Sequence, residues 1–488
     1  MATNPIHEAF LTGQPEGDPF LMTPDGGTLT YGGLRARVAQ MAGALQAQGM
    51  GPGDRVLCQI EKSPQALILY LATAIAGGVF IPLNTAYTPV ELAYFLDDAA
   101  PVLLVVDDST AGARPVADAR GVAVVTASEL MALDSAPLSD PLARKSDDLA
   151  AILYTSGTTG RSKGAMLTHE NLISNAKTLC DAWRFERSDV LLHALPVFHT
   201  HGLFVATNIA LLSGSSMIFH QRFDLDQIAR DLPRATAIMG VPTFYSRMLG
   251  DDRFDRAALA HMRLIVSGSA PLLAETHAAF ETRTGHAILE RYGMTETNMI
   301  TTNPYDGPRR AGTVGHPLPG VSVRLVDPDD QGIGGIEVKG PNVTPGYWQN
   351  AEKTAESFTE DGWFITGDLG QFDDDGYLSI VGRAKDLVIS GGFNIYPKEV
   401  ETEIDALPGV VESAVYGAPD PDLGEAVAAA VVLEPGARTD AAQIISALSG
   451  RLARFKIPRS IRIMPELPRN AMGKVQKAEL RKEAAEQS

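Results

Sequence analysis

The stretch ILYTSGTTGRSKG, from Ile152 to Gly164, joins an apolar run to a loop of threonine, serine and glycine. The apolar run predicts the end of a buried strand. Glycines in the loop free the backbone so that its N–H groups can converge, while hydroxyl groups and a lysine supply further donors. We therefore predict a loop that wraps the phosphates of a nucleoside triphosphate. Its residues are Thr155, Ser156, Gly157, Thr158, Thr159, Gly160 and Lys163.

This loop differs from the Walker A loop of P-loop NTPases. That pattern, G-x-x-x-x-G-K-[ST], needs a glycine before the lysine and a hydroxyl residue after it, whereas Lys163 follows Ser162 and precedes Gly164. A short cluster of serine, threonine and glycine also occurs in solvated surface turns, so composition alone leaves that interpretation open. The complete string YTSGTTGRSKG resembles the phosphate loop of the adenylate-forming superfamily, which includes acyl-CoA synthetases, peptide-synthetase adenylation domains and luciferases.

Length and charge narrow the possible classes of protein. With 488 residues and 45% hydrophobic residues, the chain is long enough for about two to four packed units of a globular protein. Its formal net charge of −18 argues against nucleic acid or an anionic membrane as partner. The two cysteines, Cys58 and Cys180, lack metal-type spacing and predict buried free thiols. The first residues match no targeting signal, which predicts a cytoplasmic location.

Helix and strand patterns alternate ahead of the phosphate loop. We predict strands at 55–60, 79–82 and 102–106, and helices at 64–76 and 89–99. This alternation is typical of a parallel sheet with covering helices, which is an α/β fold. Glycine and proline interrupt the apolar stretch 67–83, so we predict a buried helix and a strand there rather than a membrane span. Residues 111–146 lose apolar periodicity and are predicted to form a connector.

The resemblance also implies a domain organisation. A large N-terminal domain of packed sheets with covering helices would span residues 1–384, and a small mobile α+β domain would span residues 385–488. The hinge between the two would lie near Lys385. Predicted strands near 410–416 and 427–433 and a helix near 441–452 suit a compact C-terminal domain of that size.

The segment PVFHTHG, residues 196–202, follows a predicted strand and carries His199, Thr200 and His201. Two histidines two positions apart suggest a zinc site, but the sequence nearby offers only His193 as a third ligand and no cysteine. We therefore favour aromatic and polar residues at the mouth of an acyl pocket. The resemblance likewise implies that this segment lines the carboxylic-acid site, together with Ser269, Arg291 and Met294.

Two further segments are implied to bind the nucleotide. Small residues after a predicted strand at 264–266 would let the adenine ring approach the backbone. In the segment ERYGMTET, residues 290–297, Tyr292 would stack on the base, Thr295 would touch the α-phosphate, and Glu296 would ligate Mg²⁺ together with Thr155. The remaining nucleotide-binding residues implied by the resemblance are Gly268, Ser269, Ala270, Arg291, Gly293 and Met294, with Asp368 on the ribose hydroxyls and Arg383 on ribose or phosphate.

The C-terminal region supplies a catalytic lysine and a CoA site by the same resemblance. The segment PRNAMGK ends at Lys474, which would reach the substrate carboxylate and the α-phosphate during adenylation. Lys474 is also the residue on which a lysine acetyltransferase would act. The CoA site would comprise Ser390, Gly391, Gly392, Arg454 and Lys456, although a solvated basic turn explains the last two equally well.

The implied reaction activates a carboxylic acid. The acid attacks the α-phosphate of ATP, pyrophosphate leaves, and CoA then takes the acyl group from the adenylate. Lys474, Glu296 and Thr155 are the predicted catalytic residues, since the reacting groups are anionic and need neutralisation and positioning.

Arg291 differs from the residue that is usual at its position in the superfamily, and this difference indicates the class of acid that binds. Many members of the superfamily have a small residue before the Tyr-Gly pair, whereas this chain has a guanidinium there. A second carboxylate on the acid would explain it. FHTHGL together with ERYGMTE resembles the malonyl-CoA synthetases of this superfamily, which implies malonate and also methylmalonate as substrates. The alternatives are a CoA ligase for an aryl or medium-chain monocarboxylic acid, in which Arg291 pairs internally, and an adenylation enzyme that loads a carrier protein.

Overall fold

The computed structural model describes residues 3–155, 162–390, 393–420, 423–449, 451–470 and 474–487. The chain divides into two compact units. Unit 1 comprises Met1–Val323 and Val338–Phe364, and unit 2 comprises Arg324–Glu337 and Ile365–Ser488. The predicted domain boundary at Lys385 lies within unit 2 and stays a prediction. The mixed α/β fold expected from the alternation of helix and strand patterns is confirmed.

Two sheets organise unit 1. Its strands are β1 (Pro19–Met22), β2 (Thr28–Thr30), β3 (Arg55–Gln59), β4 (Val79–Pro82), β5 (Leu103–Val106), β6 (Ala123–Thr126), β7 (Leu149–Thr155), β8 (Lys163–Thr168), β9 (Val190–His193), β10 (Ser216–Phe219), β11 (Ala237–Gly240), β12 (Leu264–Ser267), β13 (Leu289–Met294), β14 (Asn298–Thr302) and β15 (His316–Pro317).

The first sheet has the order β6-β5-β3-β4-β7-β8 and is parallel except for the antiparallel pair β7 and β8. The second has the order β15-β14-β13-β12-β11-β9-β10-β1-β2 and is parallel from β13 to β1. In parallel sheets the carboxyl ends of the strands share one edge, where ligands commonly bind. The β7–β8 hairpin and the carboxyl ends of β9, β12 and β13 are therefore the parts of the fold that matter for the site.

Helices cover these sheets and also pack on one another. They are α1 (Pro5–Phe10), α2 (Tyr31–Ala47), α3 (Pro64–Ile75), α4 (Pro89–Ala99), α5 (Arg114–Asp118), α6 (Ala127–Ala132), α7 (His169–Ala182), α8 (Asn208–Ser213), α9 (Leu225–Asp231), α10 (Pro242–Leu249), α11 (Ala274–Thr284) and α12 (Ala351–Glu356). Every residue of α3 from Ala66 to Ile75 is buried, which explains why its sequence is apolar on all faces. None of the helices formed by the described residues combines the length and the apolar character needed to cross a lipid bilayer.

The predicted connector at 111–146 is wrong in part. It contains β6, which pairs in parallel with β5 and forms the outer strand of the first sheet, and the short helices α5 and α6. Thr126 and Glu129 form a reciprocal capping box at the start of α6. Elements of four to six residues are too short to show a clear hydrophobic period, and for that reason the sequence pattern missed them.

Strand β13 runs through the predicted nucleotide segment as far as Met294. Arg291 and Tyr292 are therefore part of β13 and pair with the antiparallel strand β14. The pairing shifts register between Tyr292 and Gly293. A Cβ added to Gly293 would overlap the carbonyl oxygen of Asn298, so this close approach requires glycine.

The capped helix α7 positions the segment 341–348 against the β7–β8 hairpin, which we call the phosphate hairpin because the predicted phosphate loop joins its two strands. Thr168 ends β8, and its hydroxyl accepts a hydrogen bond from the Asn171 N–H at the start of α7 (3.1 Å). Such a cap stabilises a helix by about 1 kcal/mol. The Asn171 side chain donates to the carbonyls of Pro341 and Val343, both at 2.8 Å. The cap thus connects β8 to the segment 341–348.

Unit 2 contains a four-stranded and a five-stranded sheet, and strands of the first extend into unit 1. The strands are β16 (Ser322–Val326), β17 (Gly334–Lys339), β18 (Phe364–Phe372), β19 (Leu378–Arg383), β20 (Val388–Ser390), β21 (Phe393–Ile395), β22 (Val410–Asp420), β23 (Gly424–Leu433) and β24 (Ser460–Met464), and the helices are α13 (Pro397–Asp405), α14 (Ala441–Leu448) and α15 (Lys477–Gln487). The predicted strands and helix of the C-terminal region are confirmed within a few residues.

Candidate active site

The predicted phosphate loop connects the two strands of an antiparallel hairpin. Thr155 at the end of β7 pairs in register with Lys163 at the start of β8. The hydroxyl of the preceding Tyr154 donates to Asp98 at 2.6 Å, which ties the hairpin to α4. The hairpin therefore holds Thr155 and Lys163 next to one another. The other predicted loop residues, Ser156, Gly157, Thr158, Thr159 and Gly160, lie outside the described residues.

Glu296 lies in the tight turn between β13 and β14, with its side chain buried. The Tyr347 hydroxyl donates to Glu296 Oε1 at 2.9 Å. The ammonium of Lys163 lies 5.8 Å from the centre of the Tyr347 ring, and Glu296 raises the pKa of Lys163 although burial lowers it overall. The structure thus brings the phosphate hairpin, Glu296 and Tyr347 together.

The donor set at Glu296 fits Mg²⁺. A hard dication prefers carboxylate and phosphate oxygens, and Mg²⁺ is commonly held by one or two carboxylates plus the substrate's phosphates. The described residues contain no group of three or more histidine, cysteine, aspartate or glutamate side chains able to hold a metal ion. A single carboxylate beside a phosphate-binding hairpin is therefore the arrangement that suits magnesium bound with a nucleotide.

The predicted adenine segment follows β12, which is the parallel neighbour of β13. The Gly268 N–H donates to the Gly240 carbonyl at 3.2 Å, while Ser269 has a positive φ of 72° and Ala270 is exposed. On β13 and in the turn after it, Tyr292, Gly293, Met294 and Thr295 are partly exposed. The structure thus places these two segments side by side at the carboxyl edge of the sheet.

Arg291 is buried, with 4% of its surface exposed, on the strand that carries these nucleotide-binding candidates. A Cβ added to Gly268 would overlap its guanidinium, so the guanidinium packs closely against Gly268. The Nε and Nη2 atoms of Arg291 are buried and donate to no acceptor among the described residues. Burial lowers the pKa of Arg291 to about 10, which leaves it charged at neutral pH.

His201 lies beside Arg291 on the predicted acid-binding segment. Its Nδ1 is 3.2 Å from the Ser269 hydroxyl oxygen. Burial and the positive charge of Arg291 hold the pKa of His201 well below its usual value, so the ring is neutral at pH 7. His201 Nε2 and the Thr200 hydroxyl are buried and have no hydrogen-bond partner in the described part of the chain. We call Thr200, His201, Gly268, Ser269 and Arg291 the acid pocket.

The side chain of His199 points to the same region of unit 1. Its ring packs edge-on against Phe198, with ring centres 4.4 Å apart, and His199 is one of the neighbours that lower the pKa of His201. The two histidines and the threonine of the predicted segment thus lie at the start of a π-helix, His201–Thr207. Single π-turns are rare and occur preferentially at functional sites.

Sequence reasoning missed the role of Tyr347, and it treated His193 only as a weak metal ligand. Tyr347 follows Gly346, whose φ of 142° few other residues adopt, in a segment that closes the phosphate hairpin. A Gly-Tyr-Trp run after a proline was the available signal. Lys62 was also missed, because a lone lysine before a helix carries no motif, yet its ammonium lies 2.9 Å from His193 Nδ1.

The candidate nucleotide residues of unit 2 form an ion pair. Asp368 and Arg383 face one another across β18 and β19, with Arg383 Nε 2.6 Å from Asp368 Oδ1. Asp368 is buried. Lys385 lies two residues beyond Arg383 in a 3₁₀ turn, Ala384–Asp386, and burial lowers its pKa.

The remaining candidates of unit 2 lie on its surface or at strand ends. Lys474 is exposed, and its backbone N–H donates to the Asn470 side chain at 3.0 Å. Lys456 pairs with Glu399 at 2.6 Å, whereas Arg454 is exposed. Ser390 ends β20 and is buried, and Gly391 and Gly392 lie outside the described residues.

Comparisons with known proteins identify the family of the chain. Residues 8–348 match the AMP-binding enzyme family, and residues 399–474 match the AMP-binding enzyme C-terminal domain. A feruloyl-CoA synthase from an Amycolatopsis species is 38% identical over 467 residues, which cover 94% of each chain. A malonate–CoA ligase from Arabidopsis thaliana is 36% identical over 496 residues, covering 93% of this chain and 81% of its own.

Among solved structures, ATP-bound MatB from Rhodopseudomonas palustris is 53% identical, with a TM-score of 0.96 and 99% of each chain covered. The predicted resemblance to the adenylate-forming superfamily is therefore confirmed. The chain belongs to the AMP-binding enzyme family and is an AMP-forming acyl-CoA synthetase that uses ATP, Mg²⁺ and CoA.

Proposed function

We propose that this synthetase converts malonate and CoA to malonyl-CoA through a malonyl-adenylate, and that it also accepts 2-methylmalonate. The observation that carries the proposal is the buried guanidinium of Arg291, whose Nε and Nη2 lack an acceptor among the described residues. A buried unpaired charge costs several kcal/mol, so a chain that keeps one there needs a partner from elsewhere. The second carboxylate of malonate supplies it, in a hydrogen bond worth about 1.5 to 3 kcal/mol.

The neighbours of Arg291 also suit a carboxylate. Within the described residues, no acidic side chain contributes to the lowered pKa of Arg291, which burial lowers and Tyr245 raises. If the Ser269 hydroxyl donates to His201 Nδ1, the neutral ring carries its proton on Nε2 and offers a second donor without adding a positive charge. Among the described residues, the unpartnered polar atoms of the acid pocket are Arg291 Nε and Nη2, His201 Nε2 and the Thr200 hydroxyl, and such a set of donors favours a dianionic acid over a neutral acyl tail.

The proposed reaction has two steps. In the first, a carboxylate oxygen of malonate attacks the α-phosphorus of ATP, and the bond to the β-phosphate breaks to release pyrophosphate. In the second, the CoA thiol loses its proton and attacks the acyl carbon, and AMP leaves. We assign the phosphates to Thr155 and Lys163, the α-phosphate to Thr295, adenine to Tyr292 and the segment 268–270. Mg²⁺ on Glu296 would neutralise phosphate charge.

Unit 2 contains the residues to which this proposal assigns a conformational change between the two steps. We infer that Lys474 neutralises the carboxylate and the α-phosphate during adenylation and that rotation near Lys385 then exchanges it for the CoA site. Replacing Lys474 with alanine should abolish adenylation and leave thioester formation from supplied malonyl-adenylate intact. Equal loss of both steps would reject the assignment. Acetylation of Lys474 by a lysine acetyltransferase would switch off adenylation, and mass analysis of native protein tests it.

The main rival is a CoA ligase for an aryl or medium-chain monocarboxylic acid, an activity that the feruloyl-CoA synthase relative represents. Such a ligase would use the same nucleotide residues, and Arg291 would serve only the structure. The second rival loads an acyl group onto a carrier protein, and this enzyme would yield no CoA thioester. Both rivals differ from the proposal in a measurable product or substrate.

The decisive experiment measures pyrophosphate release and CoA thioester formation with malonate, methylmalonate, acetate, octanoate and coumarate. The wild type, Arg291→Met and Arg291→Lys are compared at saturating ATP and Mg²⁺. We expect malonate to be preferred and its kcat/KM to fall about 10- to 100-fold in Arg291→Met, with acetate unchanged. A preference for a monocarboxylate that survives the substitution would sink the malonate assignment and keep the ligase chemistry.

A further inference from the structure

Lys62 is a partly buried lysine in unit 1 whose ammonium group donates hydrogen bonds to a single residue, His193. Its Nζ lies 2.9 Å from Nδ1 of His193 and 2.9 Å from the carbonyl oxygen of the same residue. The ring of Phe219 lies below it, 4.3 Å from Nζ to the ring centre. In the described part of the chain no carboxylate forms an ion pair with Lys62, and burial alone lowers its pKa. Lys62 therefore donates hydrogen bonds to His193 and forms no salt bridge with the described residues.

The hydrogen bonds of His193 fix its protonation. Its Nε2 lies 2.8 Å from the Gly202 carbonyl oxygen, and a carbonyl can only accept, so the proton of the neutral ring is on Nε2. The lone pair on Nδ1 then accepts from the Lys62 ammonium. Burial and the charge of Lys62 hold the pKa of His193 well below its usual value, which agrees with a neutral ring. The Gly202 carbonyl on one side and the Lys62 donor on the other thus favour the same tautomer of His193.

The Gly202 carbonyl that receives this bond belongs to the turn that carries the acid pocket. Gly202 follows His201 and lies in the π-helix His201–Thr207. Its carbonyl also accepts from the Thr207 hydroxyl at 3.0 Å. A Cβ added to Gly202 would overlap the Pro196 carbonyl oxygen, so the turn has no room to shift on that side. Movement of this carbonyl would move His201 and its contact with Ser269.

We propose that Lys62 and His193 are positioning residues that hold the His201 turn in place and thereby set the affinity of the acid pocket for its substrate. Lys62 holds the His193 ring through Nδ1, and the ring holds the Gly202 carbonyl through its Nε2 proton. His201 stays beside Ser269 and Arg291 as a result. Neither positioning residue touches the acid. The proposal rests on His201 belonging to the acid pocket, as the proposed function states.

The variant Lys62→Met tests the proposal, since it keeps the length of the side chain and removes the charged donor. Without the lysine donor, the buried Nδ1 lone pair of His193 has lost its partner, and only the Gly202 carbonyl still holds the ring. We expect KM for the acid to rise about tenfold while KM for ATP stays the same. Lys62→Arg keeps a charged donor and should restore much of the loss. Lys177→Met, on the exposed face of α7, is the matched control.

A spectroscopic measurement tests the contacts from Lys62 through His193 to Gly202, which we call the relay, without any substrate. Long-range ¹H–¹⁵N NMR spectra of deuterated protein with ¹⁵N-labelled histidine distinguish the Nε2–H from the Nδ1–H form, and His193→Gln assigns the signal. We expect the wild type and Lys62→Arg to show the Nε2–H form with a hydrogen-bonded Nδ1, and the Nδ1 resonance to shift in Lys62→Met because that bond is lost. Because this readout needs no acid, a preference for an acid other than malonate would sink the proposed substrate and leave the relay standing.

Two results would overturn the relay. One is an unchanged His193 signal in Lys62→Met. The other is an equal rise in KM for ATP and for the acid together with a lower melting temperature, because a general loss of stability would move both binding sites. The kinetic arm uses whichever acid the substrate panel finds preferred, so the relay and the malonate assignment fail separately.

Discussion

Two polar regions of unit 1 lie on the same hairpin of the second sheet, and their buried groups are satisfied in different ways. Glu296, in the turn after β13, accepts a hydrogen bond from Tyr347 and lies near the lysine of the phosphate hairpin. Arg291, on β13 itself, has two nitrogens that donate to no acceptor among the described residues. One region is complete without the substrate acid, whereas the other has donors that need an acceptor.

This difference assigns adenylation to the nucleotide region and the selection of the acid to the acid pocket. A nucleotide region with internal partners is pre-organised for ATP and works with any acid that reaches the α-phosphate. A pocket with unsatisfied buried donors rejects acids that leave them unpaired, because the cost of the unpaired group counts against the wrong substrate. Substitutions in the first region should therefore affect all acids alike, and substitutions in the second should affect malonate most.

Glu296→Gln should give the largest effect. The substitution removes the one charged oxygen ligand for Mg²⁺ that we assign, so adenylation should fall by about 10²- to 10³-fold with malonate and with acetate alike. Pyrophosphate release measured over a titration with Mg²⁺ checks this, and Glu170→Gln on the exposed start of α7 is the control. A loss confined to malonate would place Glu296 in the acid pocket and break the distinction.

Gly268→Ala should give the next largest effect, and it should be selective. The new methyl group would overlap the Arg291 guanidinium, and overpacking of this kind costs about 1 to 3 kcal/mol. We expect KM for malonate to rise about tenfold. Gly17→Ala, at a position with open space around it, is the control.

A double-mutant cycle sharpens this prediction. If the methyl group acts by displacing the guanidinium, adding Gly268→Ala to Arg291→Met should change KM for malonate little further. Additive effects, or a rise in KM for ATP of the same size, would show that Gly268 serves the adenine site instead.

Tyr347→Phe should have a smaller effect than either. It removes one hydrogen bond to the Glu296 carboxylate and leaves the ring in place, and a bond of that kind contributes about 1 kcal/mol. We expect a roughly fivefold loss in adenylation, equal for all acids, and a weaker apparent affinity for Mg²⁺. No change in the Mg²⁺ titration would show that Tyr347 does not orient the metal ligand.

The sequence predicted the strands and helices of the parallel sheet and the C-terminal unit well, because their apolar runs are long and bounded by glycine, proline and capping residues. It missed β6, α5 and α6, since elements of four to six residues show no period. The motifs predicted which segments meet, and the structure brings Lys163, Glu296 and the hairpin together. Contacts across long separations, such as Tyr347 to Glu296 or Lys62 to His193, leave no pattern along the chain.

The smallest predicted effect is the pH dependence of the free energy of unfolding that His201 contributes. It tests the acid pocket through stability rather than through activity. Native His201 stays neutral because burial and Arg291 lower its pKa, while the unfolded chain protonates it near pH 6.5. Below that pH the unfolded state binds a proton that the native state does not, so stability falls as pH falls, by up to about 1.4 kcal/mol per unit for this histidine.

The measurement compares urea unfolding of the wild type and His201→Gln at pH 7.5 and pH 5.5. The variant has one protonation fewer in its unfolded state, so it should lose about 1 kcal/mol less stability than the wild type between the two conditions. His261→Gln, on an exposed histidine, is the matched control. Equal losses in the wild type and His201→Gln would mean that native His201 takes up a proton despite the neighbouring guanidinium. The neutral donor that we assign to the second carboxylate would then be a cation, and the acid pocket would carry two positive charges at low pH.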